Sequence, residues 1–137
     1  MLYVLYVPKR ARSNIPIGVA AGVWGLPDGV VENRLTHLTP ARSARDVLET
    51  LQVGDYVLAA SNGPSPRVPP GGWANAVVAD GELWRVTRPH FRSRRAVWPV
   101  PAEWPSERYA HRFGIEAVGR YGGLDSTSVG VEGMDAL

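Results

Sequence analysis

The pattern of apolar and polar residues opens with a segment that suits a buried strand. Residues 2–7 (LYVLYV) are leucine, aromatic or β-branched and carry no charge, a composition typical of a strand covered on both faces. Residues 15–24 predict a short helix, with Asn14 in position to cap it. Residues 40–51 predict a second, amphipathic helix, because their apolar positions recur at helical spacing after Thr39-Pro40.

Later segments predict several short strands. The dipeptide Asp80-Gly81 is a strong signal for a hairpin turn, because both turn positions favour residues that tolerate positive φ. Residues 61–72 hold four prolines and three glycines and predict a loop. The predicted strands after the first are residues 56–60, 74–79, 82–86, 96–100 and 112–118.

These elements predict a single small α+β domain. Five or six short strands with two or three short helices, not arranged as alternating βαβ units, favour a mixed, barrel-like sheet. We expect the domain to span residues 1–120 and residues 121–137, which are rich in glycine and serine, to form a flexible tail or linker. No apolar run approaches the roughly 18 residues of a membrane span, and the N-terminus lacks a secretory pattern, so a cytoplasmic protein is expected.

Composition argues against several kinds of site. The chain has no cysteine, which excludes disulfides and thiolate metal ligands. His37, His90 and His111 are too far apart in sequence for a helical metal pair, so we expect no metal and no cofactor. We find no nucleophile elbow, phosphate-binding glycine loop or zinc-deaminase motif, and we assign no catalytic residue.

The placement of the basic residues is more informative than the net charge of +2. Of the 15 basic side chains only Lys9 is a lysine, and five arginines fall within residues 85–95. No acidic residue lies between Glu82 and Glu103. Arginine also serves as a general solvating cation, but five in one acid-free stretch favour phosphate binding, because the guanidinium group offers several planar donors.

Six short features, taken in order, carry a resemblance to a known family. In order, these are the apolar first strand, Gly22-Val23-Trp24-Gly25, residues 53–58 (VGDYVL), 83–87 (LWRVT), 96–99 (AVWP) and 108–113 (RYAHRF). The series resembles the EVE family of the PUA-like superfamily, and Gly-Val-Trp also resembles the related YTH readers of modified bases. The resemblance covers residues 2–118 and implies a PUA-like mixed β-barrel.

The resemblance also implies an aromatic cage that holds one flipped, modified base between Trp24 and Trp98. Stacking on aromatic faces contributes roughly 1–3 kcal/mol per base and offsets the cost of unstacking. Trp84 lies inside a strand pattern and is predicted to pack in the core instead. Three short polar side chains are candidates to read the base edge: Asn14, Ser61 and Asn62. The candidates for phosphate binding are Arg88, Arg92, Arg94, Arg95, Lys9 and Arg10.

On this basis the sequence predicts a nucleic-acid-binding module rather than an enzyme. The expected ligand is DNA with 5-methylcytosine or 5-hydroxymethylcytosine, ahead of N6-methyladenine, and the resemblance implies modification-dependent restriction with a nuclease domain or subunit as partner. One alternative is a PUA-like module that binds RNA. Another is a small amidohydrolase similar to the ASCH proteins, which would need a buried lysine or glutamate beside a threonine. No membrane partner is expected.

Overall fold

A computed structural model describes residues 2–7, 9–31, 34–35, 42–62, 77–99, 109–125 and 134–136. These residues form eight strands, three α-helices and one 3-10 helix. In chain order, the elements are β1 (Leu2–Tyr6), the 3-10 helix (Lys9–Ala11), α1 (Asn14–Ala21), β2 (Val23–Leu26), α2 (Asp28–Val31), β3 (Arg34–Leu35), β4 (Arg42–Ser43), α3 (Ala44–Leu48), β5 (Tyr56–Asn62), β6 (Val77–Arg92), β7 (His111–Asp125) and β8 (Met134–Ala136).

Six of the strands form one mixed sheet in the order β2-β7-β6-β5-β1-β8. β1 runs parallel to both of its neighbours, β5 and β8, whereas the other pairs are antiparallel. β3 and β4 pair separately. The predicted α+β class with a mixed sheet is therefore confirmed. Within the described ranges, β2 and β8 are the two edges of the sheet.

The first strand was predicted correctly because its composition suits a central position. Tyr3 and Leu5 are buried, and the Tyr3 hydroxyl lies 3.0 Å from the Thr50 hydroxyl that follows α3.

α3 is shorter than the predicted helix over residues 40–51, of which residues 40–41 lie outside the described part of the chain. Its apolar positions Val47 and Leu48 are fully buried and join the core beside β1.

Two predicted strand features are wrong. The hairpin at Asp80-Gly81 does not form, because β6 continues through both residues and pairs with β5 on one side and β7 on the other. A Cβ at position 81 would lie 2.9 Å from the Leu58 side chain, so this glycine allows close packing rather than a turn. Residues 93–99, which include most of the strand predicted over 96–100, have no regular secondary structure.

The end of the chain contains more regular structure than its composition suggests. β7 continues to Asp125, past the expected domain boundary at residue 120. β8 then pairs in parallel with β1, with Leu2 opposite Met134. The segment predicted as a tail or linker therefore contributes to two strands of the sheet. The physical reason is that the apolar β1 has a free edge to pair with.

Helix α1 and its two ends place the Trp24 segment against the sheet. Ser13 occupies the N-cap position without a side-chain hydrogen bond, and Asn14 is the first helical residue, so the predicted capping by Asn14 is wrong. Gly22 ends the helix with φ of 72°, a left-handed conformation that favours glycine, and the chain then enters β2. In the described part of the chain, no helix is long and apolar enough to cross a membrane.

Candidate nucleic-acid interface

The two tryptophans of the predicted cage lie next to each other. Trp24 on β2 is 5% exposed and Trp98 is 6% exposed. Their ring centroids are 6.0 Å apart with planes at 72°, an edge-to-face contact. Trp84, buried as predicted, packs against Trp24 at 5.2 Å. The structure thus brings Trp24 and Trp98 together, with the rings in contact rather than facing each other across a gap.

Helix α1 fixes the position of Trp98. The Trp98 Nε1 donates to the backbone carbonyl of Asn14 at 3.1 Å, and Asn14 is itself buried. Two glycines permit the close approach of the rings. A Cβ on Gly18 would lie 3.3 Å from Trp98 Nε1, and a Cβ on Gly25 would lie 2.8 Å from both Trp98 Cζ3 and the carbonyl oxygen of Tyr109. Gly25 of the Gly-Val-Trp-Gly motif is therefore required by packing.

Trp24 differs from Trp98 in its polar atom. The Trp24 Nε1 is buried and has no acceptor among the described residues. A buried donor without a partner costs about 1–3 kcal/mol. We call Trp24, Trp84 and Trp98 the aromatic cluster. Its one buried N–H group without an acceptor among the described residues, that of Trp24, could donate to a ligand or a water molecule.

Arg112 connects this aromatic cluster to the molecular surface. Its side chain is buried, with the residue 3% exposed, and its guanidinium carbon lies 5.3 Å from the Trp98 ring centroid. Its nitrogens donate to the Tyr109 carbonyl at 3.0 Å, to the Ser93 hydroxyl at 3.3 Å, and to the Arg95 carbonyl. Burial, and then the nearby charge of Arg95, lowers the Arg112 pKa below its usual range. Arg112 thus joins residues 93–95 to β7.

An open cavity of about 1060 Å³, which we call the arginine cavity, is lined by Val97, the residue before Trp98, and by Arg112, whereas Trp24 and Trp98 are not among its described lining residues. Arg88, Arg95 and Arg112 line it together with Phe91, and none of the described residues in its wall is acidic. The Arg88 guanidinium stacks on the Phe91 ring, 3.7 Å from its centroid. The cavity therefore combines fixed positive charge with an aromatic surface, the two features by which proteins bind single-stranded or flipped nucleotides.

The other predicted phosphate-binding residues do not all converge on this cavity. Arg92 lies 3.5 Å from the carboxylate of Asp28, the first residue of α2. Arg94 and Lys9 are exposed, and Arg10 belongs to the 3-10 helix. Ser61 and Asn62 end β5, with an irregular register between Ala60 and Asn62. The side chains of Arg10, Ser61 and Asn62 lie outside the described part of the structure.

Three titratable side chains form a hydrogen-bonded chain that no local sequence pattern predicted. Asp28 Oδ1 lies 2.6 Å from His111 Nε2, and His111 Nδ1 lies 3.1 Å from His90 Nε2, with the two imidazole rings stacked. His111 is 1% exposed. Burial, and then the charge of His111, lowers the pKa of His90. Only the β6–β7 register brings the two histidines together, because they are 21 positions apart in sequence.

In sequence comparisons, the chain matches no protein-family model and no curated protein. Membership of the EVE family therefore stays a prediction.

Proposed function

We propose that this protein is a nucleic-acid-binding module that recognises a flipped, modified base. The observation that carries the proposal is the position of the arginine cavity beside the aromatic cluster. Arg112 lines the cavity and its guanidinium group also lies over the Trp98 ring, 5.3 Å from its centroid. A nucleotide whose phosphates contact Arg88 and Arg95 would lie against Arg112, and movement of Trp98 would then let its base enter between Trp98 and Trp24, as base flipping requires.

The proposed cage must open before a base can enter, because Trp24 and Trp98 are in contact in the structure. We infer that residues 96–99 move, since they carry Trp98 and lack regular secondary structure, while Arg112 holds residues 93–95 on β7. The opening would break the Trp98–Asn14 hydrogen bond and separate Trp98 from Trp24. The base would replace the lost ring contact, and a polar atom on its edge would satisfy the buried N–H of Trp24. Asn14, Ser61 and Asn62 remain the proposed readers of that edge.

The proposed ligand is duplex DNA that carries 5-methylcytosine or 5-hydroxymethylcytosine, with N6-methyladenine next. An apolar cage favours a methylated base because a fully buried methyl group contributes about 0.8 kcal/mol. We further propose that the fold is a PUA-like barrel related to the EVE proteins. Its biological role would then be the specificity module of a modification-dependent restriction system, acting with a nuclease domain or subunit.

The experiment that tests this function is a binding panel. Fluorescence anisotropy would compare duplexes that are identical except for one cytosine, 5-methylcytosine, 5-hydroxymethylcytosine, adenine or N6-methyladenine. We expect one modified duplex to bind at least about fourfold more tightly than its unmodified counterpart, the factor that one buried methyl group supplies. Equal affinity across the panel would contradict the proposal. Tighter binding to a single-stranded RNA of the same sequence would instead indicate an RNA-binding module.

A second measurement tests flipping. Placing the modified base opposite a mismatch or an abasic site should tighten binding, because less pairing energy must be lost when the base leaves the helix. A fluorescent base analogue next to the target should brighten on binding. A protein that reads the groove would bind the mismatched duplex more weakly, since it needs the intact pattern of base edges.

A further inference from the structure

A second cavity lies beside α1, and the proposed function makes no use of it. It has a volume of about 830 Å³ and, among the described lining residues, shares only Pro16 and Ala20 with the arginine cavity. Three small residues of the sheet line it, Ala59 on β5 and Ala117 and Gly119 on β7. Ile15 and Val19 of α1 contribute larger aliphatic side chains. We call this the Glu82 cavity, and its small and aliphatic lining residues offer apolar surface to a ring.

One carboxylate lines this cavity at a fixed position. Glu82 on β6 lies between Ala59 of β5 and Arg120 of β7 in the strand register, and all three residues line the cavity. The Trp84 Nε1 donates to Glu82 Oε1 at 2.7 Å. Because Trp84 is fully buried, this bond holds the carboxylate group in place. A carboxylate has about four acceptor sites, so it can accept further donors from a ligand.

Two arginines accompany the carboxylate. Arg12 and Arg120 both line the cavity. Arg12 donates through its Nε to the Val7 carbonyl at 3.5 Å, which engages one of its three guanidinium nitrogens among the described residues. With two guanidinium groups and one carboxylate among the described lining residues, the cavity carries a net positive charge. Such a cavity favours a ligand that has an anionic group as well as N–H donors.

We propose that the Glu82 cavity binds a guanine nucleotide, either free or as part of a strand. The Watson–Crick edge of guanine presents N1–H and the N2 amino group side by side, and these match the two oxygens of a carboxylate. Adenine and cytosine present a single amino group beside an acceptor nitrogen, and uracil presents one N–H between two carbonyls. Each of these would direct a lone pair at Glu82. Arg12 and Arg120 would bind the phosphate.

Calorimetric titration of the whole chain with four mononucleotides tests the proposal directly. We expect guanosine monophosphate to bind roughly tenfold more tightly than adenosine or cytidine monophosphate, the factor expected for one additional hydrogen bond to a charged group. Inosine monophosphate lacks the N2 amino group and should have an intermediate affinity. Equal affinities for the four nucleotides would overturn the proposal, and this comparison needs no variant.

The variant Glu82→Gln tests the role of the carboxylate. Its side-chain oxygen can still accept from Trp84, while its amide N–H₂ would oppose the donors of guanine, so the preference for guanosine monophosphate should disappear. Glu116→Gln is the matched control, because Glu116 is an exposed carboxylate paired with Arg85, and it should keep the preference. A Glu82→Gln protein that retains the preference would overturn the proposal.

Two further experiments distinguish a free guanine nucleotide from a guanine within a strand. Binding of guanosine monophosphate alone would assign a free nucleotide as sufficient ligand. Competition by a short single-stranded oligonucleotide with one guanine, but not by the same strand with adenine, would assign a strand. Neither probe contains a modified base, so these results are independent of the modified-base panel.

Discussion

The indole N–H of Trp98 is hydrogen-bonded to the backbone carbonyl of Asn14, 84 positions earlier in the chain, at 3.1 Å. This one contact joins the irregular residues 93–99 to the first turn of α1. It also distinguishes the two tryptophans of the proposed cage, because the N–H of Trp24 has no acceptor among the described residues. The two rings therefore have similar burial but different polar environments.

Replacement of each ring by phenylalanine should reveal this difference. Trp98→Phe removes a donor that has a partner, whereas Trp24→Phe removes one that has none in the described structure. We expect Trp98→Phe to lower the free energy of unfolding by about 1 kcal/mol more than Trp24→Phe. Urea denaturation, monitored by circular dichroism, measures the free energy of unfolding of both variants. Equal losses would show that the Trp98–Asn14 bond contributes little.

The arginine cavity should control the salt dependence of nucleic-acid binding. The double variant Arg88→Gln, Arg95→Gln should weaken binding to modified and unmodified duplexes by similar factors, because phosphate contacts carry no sequence information. The slope of log affinity against log salt should fall by up to about 0.9 for each lost phosphate contact. Arg85→Gln is the control, since Arg85 is exposed and paired with Glu116. An unchanged slope in the double variant would place the nucleic acid elsewhere.

The sequence predicted β1 and the core position of Trp84, because apolar runs carry local signals, whereas the pairing of Trp24 with Trp98 was implied only by the resemblance to the EVE family. It did not predict the continuous β6. Asp80-Gly81 resembles a hairpin turn locally, but the close packing of Leu58 against Gly81 accounts for that glycine. It also missed the contact between His90 and His111, since a strand register is a property of the whole sheet. The order of strands was not predictable for the same reason.

The stability of the protein should depend on pH through His90. Burial and the neighbouring His111 lower the pKa of His90 in the folded state, whereas a histidine in the unfolded chain titrates near 6.5. As the pH falls through that value, the unfolded chain binds the proton more readily, so the folded state loses stability until the pH reaches the folded pKa. Glu49 opposes this shift, while Arg45 and Arg92 add to it.

The test compares wild type with His90→Gln by chemical denaturation at several pH values between 5 and 8. The stability of the wild type relative to the variant should decrease as the pH is lowered. A constant difference, or one that increases toward acid pH, would show that His90 does not carry this dependence.

Replacement of Gly25 by alanine, which adds only a Cβ, should destabilise the protein. In Gly25→Ala the new Cβ would lie 2.8 Å from the Tyr109 carbonyl oxygen and 2.8 Å from the Trp98 ring. We expect a loss of about 1–3 kcal/mol in the free energy of unfolding. Gly29→Ala is the control, because no atom of the described residues lies within 4 Å of a Cβ there and the residue is helical, so the change should be neutral or stabilising. Similar losses in both variants would contradict the packing argument.

The parallel pairing of β1 on both sides has a consequence for the chain as it is synthesised. Leu2 lies opposite Tyr56 on one side and opposite Met134 on the other. At about 5–20 residues per second, the synthesis of β8 follows that of β5 by on the order of ten seconds, so one edge of this apolar strand waits for its second neighbour. During that interval the nascent chain presents an unpaired, hydrophobic edge, a site at which chaperones or other nascent chains can bind. Slow translation should therefore reduce the yield of folded protein more than slow refolding of the released chain does.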